Sequence, residues 1–157
     1  YILEECYPAL RHSDYTVNYT VRGFNLEETK EIIKTRPQLL SLQEIYRIAE
    51  SCQPGSEEFN RSFQVAATMF PDDPIANLYA GAMEIQKGGD LTTAKKHLAK
   101  ADQKAPETLN NLGVIALLEG DYDAAEKYFN AAKAGGLTTQ ADTNMKQLKS
   151  IRNFPKE

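Results

Sequence analysis

The side chains that could carry chemistry in this chain are few and widely spaced. Its 157 residues include two cysteines, Cys6 and Cys52, and two histidines, His12 and His97. Neither histidine has cysteine or carboxylate residues around it at metal-ligand spacing, and two cysteines are too few for a disulfide framework. We therefore expect two unpaired thiols, with a disulfide bridge as the less favoured alternative, and we expect no metal site and no cofactor.

Adjacent carboxylates occur at Glu57-Glu58 and at Asp72-Asp73. Neighbours in sequence do not face each other across a substrate, and acidic residues favour the first turn of a helix, where the helix dipole stabilises negative charge. These pairs are therefore better explained as helix-start and loop residues. The sequence contains no Ser/His/Asp arrangement, glycine-rich phosphate loop or His-Glu-x-x-His pattern. We expect no catalytic residues, and an enzyme is the weakest of three hypotheses on function.

Composition narrows the class of protein further. The chain is 41% hydrophobic and 25% charged, with a formal net charge of -4, which is typical of a globular domain. Nucleic-acid binding needs a concentrated basic surface, so we expect no nucleic-acid partner. No apolar run approaches the ~20 residues that span a bilayer, so we expect no direct membrane insertion by this stretch. Because it begins at Tyr1, we interpret it as part of a longer protein.

The first 24 residues form a leader that differs from the rest. His12 to Val21 alternates apolar and polar side chains, which predicts a strand. A lone strand must pair with something. The candidates are an earlier part of the parent protein, a second copy of the chain, which would give a homodimer, or a hairpin partner in Ile2 to Leu10, where Pro8 is unfavourable. Alternatively the leader lies extended along a helical groove.

Residues 25–157 carry helical signals throughout. Asn25 with Glu28, and Ser41 with Glu44, have the spacing of capping boxes that start helices. Proline and glycine pairs divide the stretch into units. The predicted units are a helix over 26–35, a degenerate helix pair over 41–70, helix pairs over 74–104 and 106–134, and a cap helix over 138–152.

Two of these units look like copies of one design. Four positions recur at a constant offset of 31 residues, and all four carry a small or helix-capping side chain. The recurring positions are Gly89, Asp90, Ala94 and Ala101 in the first unit, and Gly120, Asp121, Ala125 and Ala132 in the second. Small residues at helical spacing allow two helices to approach closely.

The second copy resembles a tetratricopeptide repeat (TPR). The residues that carry this resemblance are Leu112-Gly113, Gly120-Asp121-Tyr122, Ala125, Phe129 and Ala132. The resemblance implies an all-α fold, a right-handed solenoid of antiparallel helix pairs, with an extended or β leader and a C-terminal cap helix. It also implies a non-enzymatic scaffold that binds a protein or an extended peptide.

The TPR geometry further implies which side chains face the concave groove. These candidate partner-binding residues are Tyr79, Met83, Gln86, Lys87, Asn110, Val114, Leu117 and Leu118. The alternative is that they contact the leader or the helix at 26–35. Some TPR domains hold a C-terminal carboxylate through a Lys/Asn clamp, but Val114 stands where a second asparagine would be needed, so we do not expect that mode.

A second resemblance covers nearly the whole chain. The segments YPALRHSDYTVNYTVRGFNLEETKEIIKTRPQLLSL, PGSEEFN and MFPDDP are similar to the C-terminal region of Bacteroides-type cell-envelope proteins, in which an OmpA-like domain precedes a short TPR array. That resemblance implies a periplasmic or outer-membrane-associated setting and a role in surface or fimbrial assembly. The alternative function is a structural spacer or dimerisation element whose groove its own N-terminal segment fills.

Overall fold

Every regular element in the described part of the chain is helical. The computed structural model describes residue 16 and residues 23–153, and no strand is present there. The eight α-helices, α1 to α8, are Leu26–Thr35, Leu42–Glu50, Glu57–Met69, Pro74–Gln86, Leu91–Leu98, Pro106–Leu118, Tyr122–Ala134 and Thr138–Arg152, and a short 3-10 helix, Pro37–Leu39, follows α1. The predicted all-α class is therefore confirmed. The predicted strand at His12 to Val21 and the alternatives for its pairing lie outside the described residues, apart from Thr16.

Local sequence signals set the starts of the first helices. The backbone N–H of Glu28 donates to Asn25 Oδ1 at 2.9 Å, and the Asn25 N–H donates back to the Glu28 carboxylate at 3.1 Å. The same reciprocal pair joins Ser41 and Glu44, and the Ser41 N–H that donates to Glu44 lowers the pKa of that carboxyl. Both predicted capping boxes are confirmed, because each satisfies backbone N–H groups that a helix start leaves unpaired.

Each helix packs against the next along the chain, and two further contacts join α4 to α6 and α6 to α8. Ile45 and Ile48 lie in a core between α1, α2, α3 and α4. Leu98 and Ile115 lie in a second cluster where α5 meets α6, and Phe129 lies in a third that includes α8. These cores hold α4 and α6 side by side.

The turns inside the α4/α5 and α6/α7 hairpins differ by one residue. Gly88 has a φ of +64° and Gly120 a φ of +82°, so each ends its helix in the left-handed conformation that glycine tolerates best. Asp90 and Asp121 then cap the following helices. Gly120 therefore corresponds to Gly88, and the expected match with Gly89 is wrong. The first hairpin holds one extra turn residue, so α4 and α6 match at an offset one residue longer than α5 and α7.

The crossing of the two helices in each hairpin is made by a glycine facing a large apolar side chain. A Cβ added at Gly81 would lie 2.8 Å from Leu98 Cγ, and a Cβ added at Gly113 would lie 2.5 Å from Phe129 Cε1. Real Cβ atoms do not approach so closely, so an alanine at either position would force the facing side chain to shift. The sequence pattern identified Gly113 but not Gly81. The extra turn residue moves Gly81 out of the register that an offset of 31 residues gives.

Candidate binding cleft

A cleft of about 210 Å³ opens between α4, α6 and the start of α8. Its lining combines apolar side chains with three amides and one carboxylate. The lining residues are Leu78, Tyr79, Ala82, Glu107, Asn110, Asn111, Leu137 and Gln140.

Helical spacing explains why these side chains converge. Residues three and four apart lie on the same face of a helix, as Leu78 and Ala82 do on α4 and Glu107 and Asn110 do on α6. The contact between α4 and α6 brings the two faces together, and α8 adds Gln140 from its first turns.

Asn110 is the polar side chain set deepest in this cleft. It is only 9% exposed, and its Oδ1 accepts a hydrogen bond of 2.9 Å from Asn144 Nδ2. Its own amide nitrogen donates to no acceptor within residues 23–153. This nitrogen is not among the fully buried atoms, so it faces the cleft and offers an N–H group to which a ligand carbonyl could bind.

The electrostatics of the cleft are weakly negative. Glu107 carries the full charge among the described lining residues, and neither lysine nor arginine is present there. The lining therefore offers no cation to a carboxylate ligand.

Tyr79 is half inside the cleft and half inside an aromatic cluster. It is 37% exposed, its ring stacks on Phe63 with centroids 3.9 Å apart, and Phe59 approaches it edge-on at 5.4 Å. Nearby, the Tyr46 hydroxyl donates to Asp73, which caps α4. Burial, followed by that hydrogen bond, raises the pKa of Tyr46. Within the described residues Tyr79 therefore packs on α3.

The structure brings together two of the predicted groove residues, Tyr79 and Asn110. Met83 is only 5% exposed, and Val114 and Leu117 are half-buried beside the cluster that contains Phe129.

The other three predicted residues are exposed but do not line this cleft. Gln86 and Leu118 lie at the ends of α4 and α6, and Lys87 lines a separate surface depression beside α3.

Sequence reasoning missed six lining residues, and the shifted register explains part of this. With the longer offset between α4 and α6, the counterpart of Tyr79 is Asn111 and the counterpart of Leu78 is Asn110. Aligning Gly81 with Gly113 would have revealed Leu78 and Asn111. Leu137 and Gln140 lie at the start of α8, and the sequence pattern does not show where α8 packs.

Cys52 and His97 do not line this cleft. The half-buried Cys52 is a free thiol, and His97 Nδ1 lies 2.9 Å from the oxygen of the buried Asn77. Residues 23–153 contain no group of three or more potential metal ligands, and no helix there is long and apolar enough to cross a membrane. Comparisons with protein families, curated proteins and solved structures found no match to this chain.

Proposed function

We propose that this chain is a TPR-like, non-enzymatic interaction module that holds a short extended stretch of a partner protein in the cleft between α4, α6 and α8. The observation that carries the proposal is the Asn110 amide, which lines the cleft, is nine-tenths buried and has an N–H group without an acceptor in the described chain. A backbone carbonyl of an extended peptide supplies that acceptor.

The size and polarity of the cleft favour a peptide segment over a small metabolite. Its volume of about 210 Å³ is below the usual range of roughly 300–1,000 Å³ for small-molecule sites. Leu78 and Ala82 offer apolar contact, while Asn111 and Gln140 offer amides that can pair with a main chain. Glu107 favours a neutral or basic segment over an acidic one.

The setting proposed for this module is the cell envelope, in the periplasm or at the outer membrane, with a part in surface or fimbrial assembly. This rests on the resemblance of the chain to OmpA-like envelope proteins. The arrangement of helix pairs as a right-handed solenoid is part of the same proposal, and the successive packing of α4, α5, α6 and α7 supports it.

Capture of partners from envelope extracts by the intact parent protein, read by mass spectrometry, tests the proposal. We expect Asn111→Ala combined with Gln140→Ala to lower the recovery of specific partners while the melting temperature stays within a few degrees. The matched control is Lys127→Ala, at an exposed position of α7. Equal recovery by the cleft variant and the control would contradict the proposal.

Charged substitutions at Tyr79 or Met83 are poor tests of binding. Met83 is buried and Tyr79 stacks on Phe63, so a charge at either place would disturb the core. Lost capture would then report unfolding as much as a lost contact.

A further inference from the structure

A second cleft, of about 360 Å³, lies between α1, α2 and α3. Its floor is apolar because Ile33 of α1 and Ile48 of α2 reach it from the first core. Its volume falls within the roughly 300–1,000 Å³ typical of small-molecule sites. This cleft shares no lining residue with the peptide cleft.

Three cations stand at this second cleft. Lys30 and Lys34 lie four residues apart on one face of α1, and Arg61 reaches the cleft from α3. Glu58 supplies the one carboxylate among the described lining residues. The chain as a whole has a net charge of -4, so this excess of positive charge is a local feature.

The partners of these cations leave them available to a ligand. Lys30 Nζ lies 3.6 Å from Glu27, and Lys34 Nζ lies 3.1 Å from Glu31, with both carboxylates largely exposed to water. Such surface pairs within one helix are weak and easily exchanged. The Arg61 guanidinium makes no ion pair or hydrogen bond with any residue of the described chain.

We infer that this cleft binds a small organic anion with an apolar body, such as an aromatic or aliphatic sulfonate or carboxylate. The planar guanidinium of Arg61 pairs with the anionic group through two parallel N–H donors. The apolar body lies against the methylene stems of Lys30, Lys34 and Arg61, above Ile33 and Ile48, which are themselves already buried. The inference does not rest on the proposed peptide-binding function, because it concerns different helices and a different ligand.

Fluorescence titration of the full chain with anilinonaphthalene sulfonate tests the charge requirement. The neutral control probe is phenyl-naphthylamine, which has the same aromatic body without the sulfonate. We expect the sulfonate to bind more tightly, and Arg61→Gln to weaken it by about tenfold or more without changing helicity by circular dichroism. The matched control variant Lys127→Gln should stay within about twofold. Equal binding of the two probes, or an unchanged affinity in Arg61→Gln, would overturn the inference.

Cys52 offers a second readout because it lines the same cleft. In a Cys6→Ser background, saturating sulfonate should slow the alkylation of Cys52 by iodoacetamide at least about fivefold by blocking access to the thiol. The neutral probe at the same concentration should protect less. An unchanged alkylation rate in the presence of bound sulfonate would show that the probe binds elsewhere, and the assignment to this cleft would fall.

Discussion

In each of the hairpins α4/α5 and α6/α7 the two helices cross at a glycine that faces a large apolar side chain, but that side chain differs between them. In the first, Gly81 faces Leu98 and α5 runs for 8 residues; in the second, Gly113 faces the ring of Phe129 and α7 runs for 13 residues. Phe129 is fully buried, as is Leu98, but the ring fills more space and closes more tightly on its glycine. The second hairpin therefore depends more on the shape of one side chain.

The first hairpin relies more on side-chain hydrogen bonds. Asn77 is buried and donates to the carbonyls of Pro71 and Asp73, while its oxygen lies against His97. Asp73 itself caps α4. These bonds fix the loop that enters the hairpin, because each buried polar group there has a partner.

The start of α6, in the second hairpin, has fewer side-chain hydrogen bonds than the start of α4. Its N-cap is Ala105, which makes no side-chain hydrogen bond, and Thr108 Oγ1 is buried without a partner in the described chain. Two hairpins of one pattern therefore depend on different contacts: the first depends on a fully paired polar loop, and the second on one buried ring that follows a helix start without a side-chain cap.

The largest expected effect is on the packing of the second hairpin. Phe129→Ala should lower the free energy of unfolding by about 3–5 kcal/mol, because it removes a fully buried ring and leaves a cavity at the seam. Urea unfolding measures this, with the exposed Lys127→Ala as control. A loss below about 1 kcal/mol would show that the seam collapses around the missing ring, and the contrast between the hairpins would disappear.

Substituting the two seam glycines sharpens the contrast. Gly113→Ala should cost about 1–3 kcal/mol through overpacking against the ring, although alanine favours the helix by up to about 1 kcal/mol. Gly81→Ala should cost less, because its two closest contacts are Leu98 side-chain atoms at 2.8 and 2.9 Å, and the Ala94 carbonyl oxygen lies farther away at 3.3 Å. Introducing Phe129→Leu should reduce the cost of Gly113→Ala in a double-mutant cycle. An equal cost in both backgrounds would refute the assigned contact.

The two helix starts form a smaller test. Asp73→Ala should cost about 1–2 kcal/mol, because it removes both the cap of α4 and the acceptor of the Tyr46 hydroxyl. Ala105→Asp should gain about 1 kcal/mol by supplying a cap that α6 lacks. Thermal unfolding of the two variants checks the opposite signs. If Ala105→Asp destabilises, the start of α6 is constrained by something other than its missing cap.

The smallest expected effect is a loss of stability at alkaline pH that involves Tyr46, which is bonded to the start of the first hairpin through Asp73. The Tyr46 pKa is raised in the folded chain, so the protonated phenol contributes stability that is fully present below its unfolded pKa of about 10 and declines as pH rises above it. The stability difference between the wild type and Tyr46→Phe should therefore shrink above that pH. Chemical denaturation at neutral and alkaline pH measures it, and a constant difference would contradict the assigned bond to Asp73.

Much of the fold could be predicted because its signals are local. The capping boxes at Asn25 and Ser41 and the cap residues Asp73 and Asp121 all start helices in the structure, since each side chain satisfies N–H groups within its own first turn. The site was harder to predict. One extra turn residue at Gly88-Gly89 shifts the register of α4, so a side-by-side reading placed the buried Met83 in the groove and missed Asn111.

The sequence by itself determined that the chain from residue 25 onward consists of successive helices and where most of them begin, because capping and hydrophobic periodicity act within a few residues. Only the tertiary structure decided which faces of α4, α6 and α8 meet, and that Asn144 donates a hydrogen bond to the Asn110 oxygen. It also decided that Lys30, Lys34 and Arg61 line one cleft. The physical reason is that these contacts join residues distant in sequence, and packing selects them through the sizes of the side chains at each seam.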